Sequence, residues 1–243
     1  VNVNGTNNLL KVMSENKCNT FVFSSSATVY SPFEKSPLYE TYKVKPIDPY
    51  GKTKLEVEEI LRNLYKDKEY NWNIISLRYF NPIGAHSSGM IGESPLNIPN
   101  NLFPYICDVA IGKRKLLKIF GNDWPTLDGT CIRDFIHIVD LAEGHLSALN
   151  YLIKKDKEQQ RTFLILNLGT GKGTSVLDLV KTFERVNKLK INYEFSERRP
   201  GDKSTVYSNC DLAKKILGWE AQKNISEMCK DGWNWQLNNP NGF

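Results

Sequence analysis

The chain has 243 residues, of which 40% are hydrophobic and 24% charged, as in globular proteins with an apolar core. Its net charge is +5 with scattered basic residues, which argues against a nucleic-acid partner but suits a small anionic ligand. Five widely spaced cysteines, without a Cys-x-x-Cys pair, indicate reduced thiols in the cytoplasm and no metal site. No apolar run has transmembrane length, so we expect no membrane partner.

The first predicted elements are an amphipathic helix over residues 5–16 and a short apolar strand over residues 21–23. Ser24, Ser25 and Ser26 follow the strand at once. Ligands of open parallel sheets bind at the carboxyl ends of strands, so these hydroxyls are candidate site groups. Taken alone, a serine-rich turn that satisfies its own backbone explains them more simply.

A second helix is predicted to begin after Asp48, a favourable N-cap, with Pro49 at the first helical position. Spacings of 4, 3, 4 and 3 residues define one stripe along it. This stripe contains Tyr50, Lys54, Val57, Leu61 and Leu64. A tyrosine and a lysine therefore continue a face that is otherwise apolar.

The Tyr50 phenol lies in the first turn of this helix, and the Lys54 ammonium lies one turn further on. The positive helix end and the nearby cation both favour phenolate, so the sequence predicts a lowered Tyr50 pKa and a tyrosine that acts as a base. The alternative is that Tyr50 packs and Lys54 extends its stem along apolar surface.

The rest of the chain alternates between strands and helices. A strand over residues 73–80 ends at a polar tip, and a Gly-, Ser- and Pro-rich stretch over 85–100 leads into a second domain. Strands are also predicted at 116–120, 132–139, 163–166 and 191–195, and helices at 101–112, 140–153, from 175, at 211–217 and at 226–237. Asp140 is a predicted N-cap, and 154–161 a charged loop. This alternation predicts an α/β fold with a parallel sheet.

Seven segments, in order along nearly the whole chain, resemble the extended short-chain dehydrogenase/reductase superfamily and, more narrowly, the UDP-glucose 4-epimerase family. They are Ser-Ser-Ser-Ala-Thr-Val-Tyr (24–30), Pro-Tyr-Gly-Lys-Thr-Lys (49–54), Leu-Arg-Tyr-Phe-Asn-Pro-Ile-Gly-Ala-His (77–86), Ile-Pro-Asn-Asn-Leu-Phe-Pro (98–104), Ile-Phe-Gly-Asn-Asp (119–123), Asp-Gly-Thr-Cys-Ile-Arg-Asp-Phe-Ile-His (128–137) and Arg-Arg-Pro-Gly-Asp (198–202).

The resemblance implies a Rossmann-like parallel sheet with a smaller α/β substrate-binding domain. It assigns residues 1–81 and 134–184 to an NAD-binding domain and 82–133 and 185–243 to a UDP-sugar-binding domain. The family's Gly-x-x-Gly-x-x-Gly turn, which holds the cofactor pyrophosphate, is not found in this sequence. We therefore expect a fragment that lacks the N-terminal half of the nucleotide-binding fold and is inactive by itself.

The resemblance also implies roles for individual residues. Tyr50 would be the base, Ser26 would steady the proton, and Lys54 would bind the nicotinamide ribose. Residues implied to bind NAD are Asn2, Ser24, Ser26, Tyr50, Lys54 and Phe80. Residues implied to bind the UDP-sugar are Ser26, Ala27, Thr28, Tyr50, Asn81, Asn100, Asn101, Leu102, Lys118, Phe120, Arg133, Arg199, Asp202 and Val206. For the arginines, the alternative is a surface ion pair.

The implied activity is the NAD-dependent interconversion of UDP-galactose and UDP-glucose, carried out by a homodimer joined through the helices of Gly5 and Tyr50. Val206, at the position that limits substrate size in the family, implies that UDP-GlcNAc and UDP-GalNAc are accepted too. A nucleotide-sugar 4,6-dehydratase is one alternative, but the acidic pair expected after the serines is replaced by Ala27, Thr28 and Val29. A non-catalytic remnant is the other alternative if this chain is the complete gene product.

Overall fold

A computed structural model of the protein describes residues 1–67 and 71–242. The helices are α1 (Asn2–Glu15), α2 (Pro49–Lys66), α3 (Leu102–Ala110), α4 (Ile138–Lys157), α5 (Val176–Asn187), α6 (Asp211–Leu217) and α7 (Ile225–Asn238). The strands are β1 (Thr20–Ser26), β2 (Asn73–Tyr79), β3 (Asn81–Ile83), β4 (Leu117–Phe120), β5 (Ile132–Arg133), β6 (Phe135–His137), β7 (Thr162–Leu168), β8 (Thr174–Ser175), β9 (Tyr193–Ser196) and β10 (Thr205–Val206).

The chain forms two compact units. The first contains residues 1–80, 142–168 and 208–220, and the second contains 81–141, 169–207 and 221–243 as far as they are described. The predicted division differs from these units at 81, 134–141 and 169–184, which it placed with the first domain, and at 208–220, which it placed with the second. Residue 243, the last residue of the predicted second domain, lies outside the described residues. The difference follows from packing, since α5 contributes Leu179 and Phe183 to the core of the second unit.

The first unit is built on a parallel sheet in the order β1-β2-β7. The register pairs Ser26 with Tyr79, and Tyr79 with Leu168, so the carboxyl ends of the three strands lie side by side. Val57 and Leu61 of α2 are fully buried in the core beside this sheet, which confirms the predicted apolar stripe. The α/β fold with a parallel sheet is therefore confirmed.

The second unit contains three small sheets, in the orders β10-β5-β8, β3-β6 and β4-β9. Its core joins apolar side chains from α3, α5 and α7, with Phe103 packed edge-on against Phe183. The helix α7 begins at a capping box in which the Asn224 side chain accepts from backbone N–H groups and Glu227 accepts from the Asn224 N–H. Among the described residues, no helix combines the length and apolar character needed to span a bilayer.

Two predictions about α4 are wrong. The helix begins at Ile138, and the Asp140 carboxylate accepts hydrogen bonds from the backbone N–H groups of Gln222 and Lys223 at 3.1 and 2.8 Å. Asp140 thus anchors a distant segment and does not cap the helix. The helix also continues to Lys157, through much of the predicted loop, because its last turn carries lysines that complement the negative helix end.

The beginning of α2 approaches the end of β1 very closely at Gly51. Asp48 caps the helix by accepting from the Gly51 N–H at 2.7 Å, as the sequence predicts. A methyl group at Gly51 would lie 2.7 Å from the carbonyl oxygen of Thr28 and 2.9 Å from the Pro46 side chain. Only a residue without a side chain permits this approach.

We expect Gly51→Ala to lower the free energy of unfolding by about 1–3 kcal/mol, because the added methyl group forces the helix away from the Thr28 backbone. Gly5→Ala in α1 is the matched control, since nothing lies within 4 Å of the added methyl group there. The control should gain about 0.5–1 kcal/mol from helix propensity. Chemical denaturation measures both, and equal stability of the two variants would contradict the close approach.

Candidate active site

The first group of predicted site residues lies at the carboxyl end of β1. The Ser26 hydroxyl oxygen accepts hydrogen bonds from the Thr28 N–H at 3.2 Å and the Thr28 hydroxyl at 3.0 Å, and so caps a short 3₁₀ turn over Ala27–Val29. A serine that accepts two hydrogen bonds still has its own proton to donate. Ser26 can therefore donate to a ligand oxygen at this edge of the sheet.

Tyr50 and Lys54 project from the first turns of α2, as their spacing predicts. Tyr50 is 51% exposed, and the Lys54 Nζ lies 5.4 Å from the centre of its ring. The same ammonium donates to the carbonyl oxygen of Ser24 at 2.9 Å and lies 5.2 Å from the centre of the Phe23 ring. An accessible phenol and a cation therefore stand together at the end of β1.

The predicted lowering of the Tyr50 pKa is wrong for the protein as it stands. Partial burial and the negative charge of the Asp48 carboxylate raise the Tyr50 pKa. Partial burial lowers the pKa of Lys54. The helix end and Lys54 favour the phenolate, but the negative charge of the cap residue Asp48 acts in the opposite direction.

A second hydroxyl cluster at this edge was not predicted. The Tyr79 phenol donates to the Ser24 hydroxyl oxygen at 2.6 Å and also contacts the Nε2 atom of His145. Burial raises the pKa of Tyr79 to about 12, so this phenol stays protonated. Tyr79 lies at the end of a strand that the sequence analysis located, and that position was the available signal.

The other predicted NAD- and UDP-sugar-binding residues of the first unit lie on different elements. Asn2 of α1 donates to the Thr53 hydroxyl of α2 at 3.1 Å, which makes it a link between helices. Phe80 is buried directly after β2. Thr28 is exposed, and Ala27 is half-buried in the 3₁₀ turn.

The second unit contains a pocket of about 400 Å³. Nine of the residues predicted to bind the UDP-sugar line it: Asn81, Asn100, Asn101, Leu102, Lys118, Phe120, Arg133, Arg199 and Asp202. They come from β3, the loop before α3 and the first residue of α3, β4, β5 and the loop after β9, so the fold gathers residues that are far apart in sequence. Cys131 and Tyr105 also line the pocket and were not predicted.

One carboxylate pairs with both arginines of this pocket. Asp202 lies 3.1 Å from the Arg199 Nε and 3.6 Å from an Arg133 nitrogen. Arg133 also donates to the carbonyl oxygens of Ile132 and Lys203 at 2.8 and 2.9 Å, and its side chain is largely buried. The Arg199 guanidinium lies 4.8 Å from the centre of the Phe120 ring. Two guanidinium groups next to an aromatic ring suit an anionic ligand that carries a planar base.

Val206, Lys118 and Arg198 each have a specific neighbour in the second unit. Val206 lies in β10, paired in register with Arg133, and is half-buried. Lys118 lies 3.8 Å from Glu194. The Arg198 side chain donates to Asp123 at 2.8 Å and lies 4.0 Å from the centre of the Trp124 ring, a clasp that the sequence did not indicate.

Comparison with known proteins agrees with this architecture. The family described as GDP-mannose 4,6 dehydratase matches residues 1–232. The chain is 52% identical to UDP-glucose 4-epimerase 2 of Oryza sativa subsp. japonica and covers 58% of that protein. It is 51% identical to UDP-glucose 4-epimerase of Drosophila melanogaster and covers 68% of it. In both cases all of this chain is aligned.

Among solved structures, the UDP-glucose 4-epimerase of Bifidobacterium longum, crystallised with NAD+ and UDP, matches with a TM-score of 0.92 and 42% identity. The match covers 100% of this chain and 70% of that one. The parallel sheet, with hydroxyls, a phenol and an ammonium at its carboxyl edge, defines an extended short-chain dehydrogenase/reductase. Within that superfamily, the chain belongs to the UDP-glucose 4-epimerase family, as its motifs suggested. It spans about three fifths to two thirds of the length of these relatives.

We expect Asp48→Asn to lower the Tyr50 pKa, because the change removes the nearby negative charge that helps to raise it. Asparagine caps helices as well as aspartate does, so α2 should keep its first turn. Titration of ring-¹³C tyrosine by NMR measures the shift, with Tyr50→Phe identifying the signal. Glu56→Gln, at an exposed position of the same helix, is the control and should leave it unchanged. An unaltered Tyr50 pKa in Asp48→Asn would contradict this electrostatic account.

Proposed function

We propose that the protein interconverts UDP-galactose and UDP-glucose by transient oxidation at C4 of the sugar, with NAD as cofactor. The observation that carries this proposal is the accessible Tyr50 phenol beside the Lys54 ammonium, at the end of a strand of a parallel sheet. Relatives that share about half of the residues are named as UDP-glucose 4-epimerases, which supports the same reaction.

In this proposal, residues of the first unit transfer the proton of the 4-hydroxyl group of the sugar. Tyr50, as phenolate, accepts the proton of the 4-hydroxyl group, and the Ser26 hydroxyl donates a hydrogen bond to the same oxygen. When bound, the nicotinamide supplies an acceptor and then a donor of hydride at C4. Tyr50 returns the proton after the ketone has presented its other face. The Lys54 ammonium, 5.4 Å from the centre of the Tyr50 ring, would stabilise the phenolate once it forms, against the partial burial and the Asp48 charge that raise the Tyr50 pKa.

The residues at the end of β1 fit the nicotinamide end of NAD. Lys54 uses one of its three N–H donors on the Ser24 carbonyl, so it can also bind ribose hydroxyls. Ser24 and Tyr50 are exposed beside it. The sequence contains no glycine-rich turn for the pyrophosphate, so these 243 residues are assigned only the nicotinamide ribose.

The pocket of the second unit is proposed to bind the UDP part of the substrate. Arg133 and Arg199 would contact the diphosphate, since each guanidinium presents a fork of donors. Phe120 offers a face for the uracil ring, and Asp202 can accept hydrogen bonds from ribose hydroxyls. The two pairs with Asp202 keep both guanidinium groups oriented before the ligand arrives.

A 4,6-dehydratase is less well supported. Loss of water from the sugar needs an acid close to the serine motif, but the turn after Ser26 consists of Ala27, Thr28 and Val29. We also propose a cytoplasmic homodimer that pairs through α1 and α2. The apolar side chains of Leu9 and Val12, which are about half exposed on α1, support such a contact.

Tyr50→Phe in the full-length protein should lower the turnover of UDP-galactose by about 10²–10⁴-fold, because the base is removed while the ring stays in place. The affinity for UDP should not change, since UDP is assigned to the pocket of the second unit. A coupled assay for UDP-glucose measures turnover, and calorimetry measures UDP binding. Tyr39→Phe removes another exposed phenol and is the control. Near-normal turnover in Tyr50→Phe would refute the assignment.

Val206 is proposed to leave room for an N-acetyl group at C2 of the sugar. The side chain is small and half-buried in β10, next to Arg133 in the register. We expect the full-length protein to interconvert UDP-GlcNAc and UDP-GalNAc, and Val206→Tyr to lower that activity about 10-fold or more by filling the space. Turnover of UDP-glucose by the same variant is the internal control. A wild-type protein that ignores N-acetylated sugars, or a variant that still turns them over normally, would show that Val206 is not the gate.

A further inference from the structure

A buried ion pair joins α2 to β2 and takes no part in the proposed proton transfer. The Arg78 side chain of β2 donates to both carboxylate oxygens of Glu58 on α2, at 2.9 Å from Nε and 2.7 Å from Nη2. Both side chains are only 3% exposed. The geometry is the two-pronged one that gives an arginine–carboxylate pair a fixed orientation.

Further groups complete the surroundings of this pair. The Ser25 hydroxyl of β1 donates to the Glu58 Oε1 at 2.6 Å. Another Arg78 nitrogen lies 3.4 Å from the carbonyl oxygen of Glu40, and the guanidinium lies 4.8 Å from the centre of the Tyr30 ring. The pair is therefore held from β1, β2 and the segment that contains Tyr30 and Glu40. We refer to Ser25, Glu58 and Arg78 as the clamp.

The clamp acts on the helix that bears the proposed base. Tyr50, Lys54 and Glu58 are spaced by four residues, so they follow one another along one side of α2. Lys54 bonds the carbonyl oxygen of Ser24, and Glu58 bonds the hydroxyl of Ser25. Two successive turns of the helix are thus tied to two successive residues of β1, which limits both rotation and sliding of α2.

Stability alone explains such a pair poorly. Removing two charges from water costs about as much as their attraction returns, and apolar side chains of similar size often stabilise a core as well or better. What an ion pair of this kind supplies is a defined register between the elements that it joins.

We propose that Ser25, Glu58 and Arg78 are positioning residues, which hold Tyr50 and Lys54 at the reacting end of β1. This inference rests on the proposed epimerase function. The contacts of the clamp described above all lie within the first unit, whereas UDP is assigned to the pocket of the second, so loss of the clamp should disturb the chemical step more than substrate binding. Misplacement of a base by about 1 Å costs about 100-fold in rate.

The test is Arg78→Lys in the full-length protein, which keeps the positive charge but can no longer grip both oxygens of Glu58. We expect kcat for UDP-galactose to fall about 10- to 100-fold, with KM and the dissociation constant of UDP within about twofold of the wild type. Ser25→Ala is the milder second variant, because it keeps the ion pair and removes one hydrogen bond. It should lower kcat by about fivefold.

The control is Glu184→Gln in the second unit. It disrupts the ion pair of another buried carboxylate, since Glu184 lies 3.0 Å from Lys181. Melting temperatures of all variants are recorded, and the control should lose stability while its kcat stays normal. The positioning role is overturned if the kcat values of Arg78→Lys and Ser25→Ala equal that of the control. It is also overturned if KM rises and UDP affinity falls along with the loss of kcat. A wild-type protein without epimerase activity would instead overturn the proposed function and, with it, the role given to the clamp.

Discussion

The arrangement of the first unit depends on how closely α2 approaches the end of β1. Gly51 lies against the Thr28 carbonyl, Lys54 reaches the Ser24 carbonyl, and Glu58 accepts from Ser25. Each contact belongs to a successive turn of the helix. Because a side chain at position 51 would separate the two elements, the glycine is the condition for the other two contacts. The phenol and the ammonium then meet at the carboxyl edge of the sheet.

In the second unit, a shared carboxylate orients the two arginines that are proposed to bind the diphosphate. Asp202 pairs with Arg133 and Arg199, and backbone carbonyls hold Arg133 from another side. A shared carboxylate lowers the repulsion between two neighbouring guanidinium groups and restricts their rotamers. Under the proposed function, less conformational entropy would then be lost when a diphosphate binds these arginines.

Local patterns predicted a large part of this structure. The start of α2 followed from Asp48 and Pro49, and the buried stripe followed from helical spacing. Contacts between distant residues could not be predicted in this way. The partial burial that raises the Tyr50 pKa, the anchoring of the 222–223 backbone by Asp140, and the pairs Tyr79–His145 and Glu58–Arg78 all depend on tertiary packing. The predicted domain boundaries differ from the two compact units for the same reason, since α5 packs into the core of the second unit.

The central claim is that hydrogen leaves C4 of the sugar and returns to the same carbon, while Tyr50 moves only the hydroxyl proton. The most direct measurement is proton NMR of UDP-glucose converted in D₂O by the full-length protein supplied with NAD. The account predicts UDP-galactose that retains protium at C4. Deuterium at C4 would contradict it, because a proton would then have been removed from carbon and exchanged with solvent.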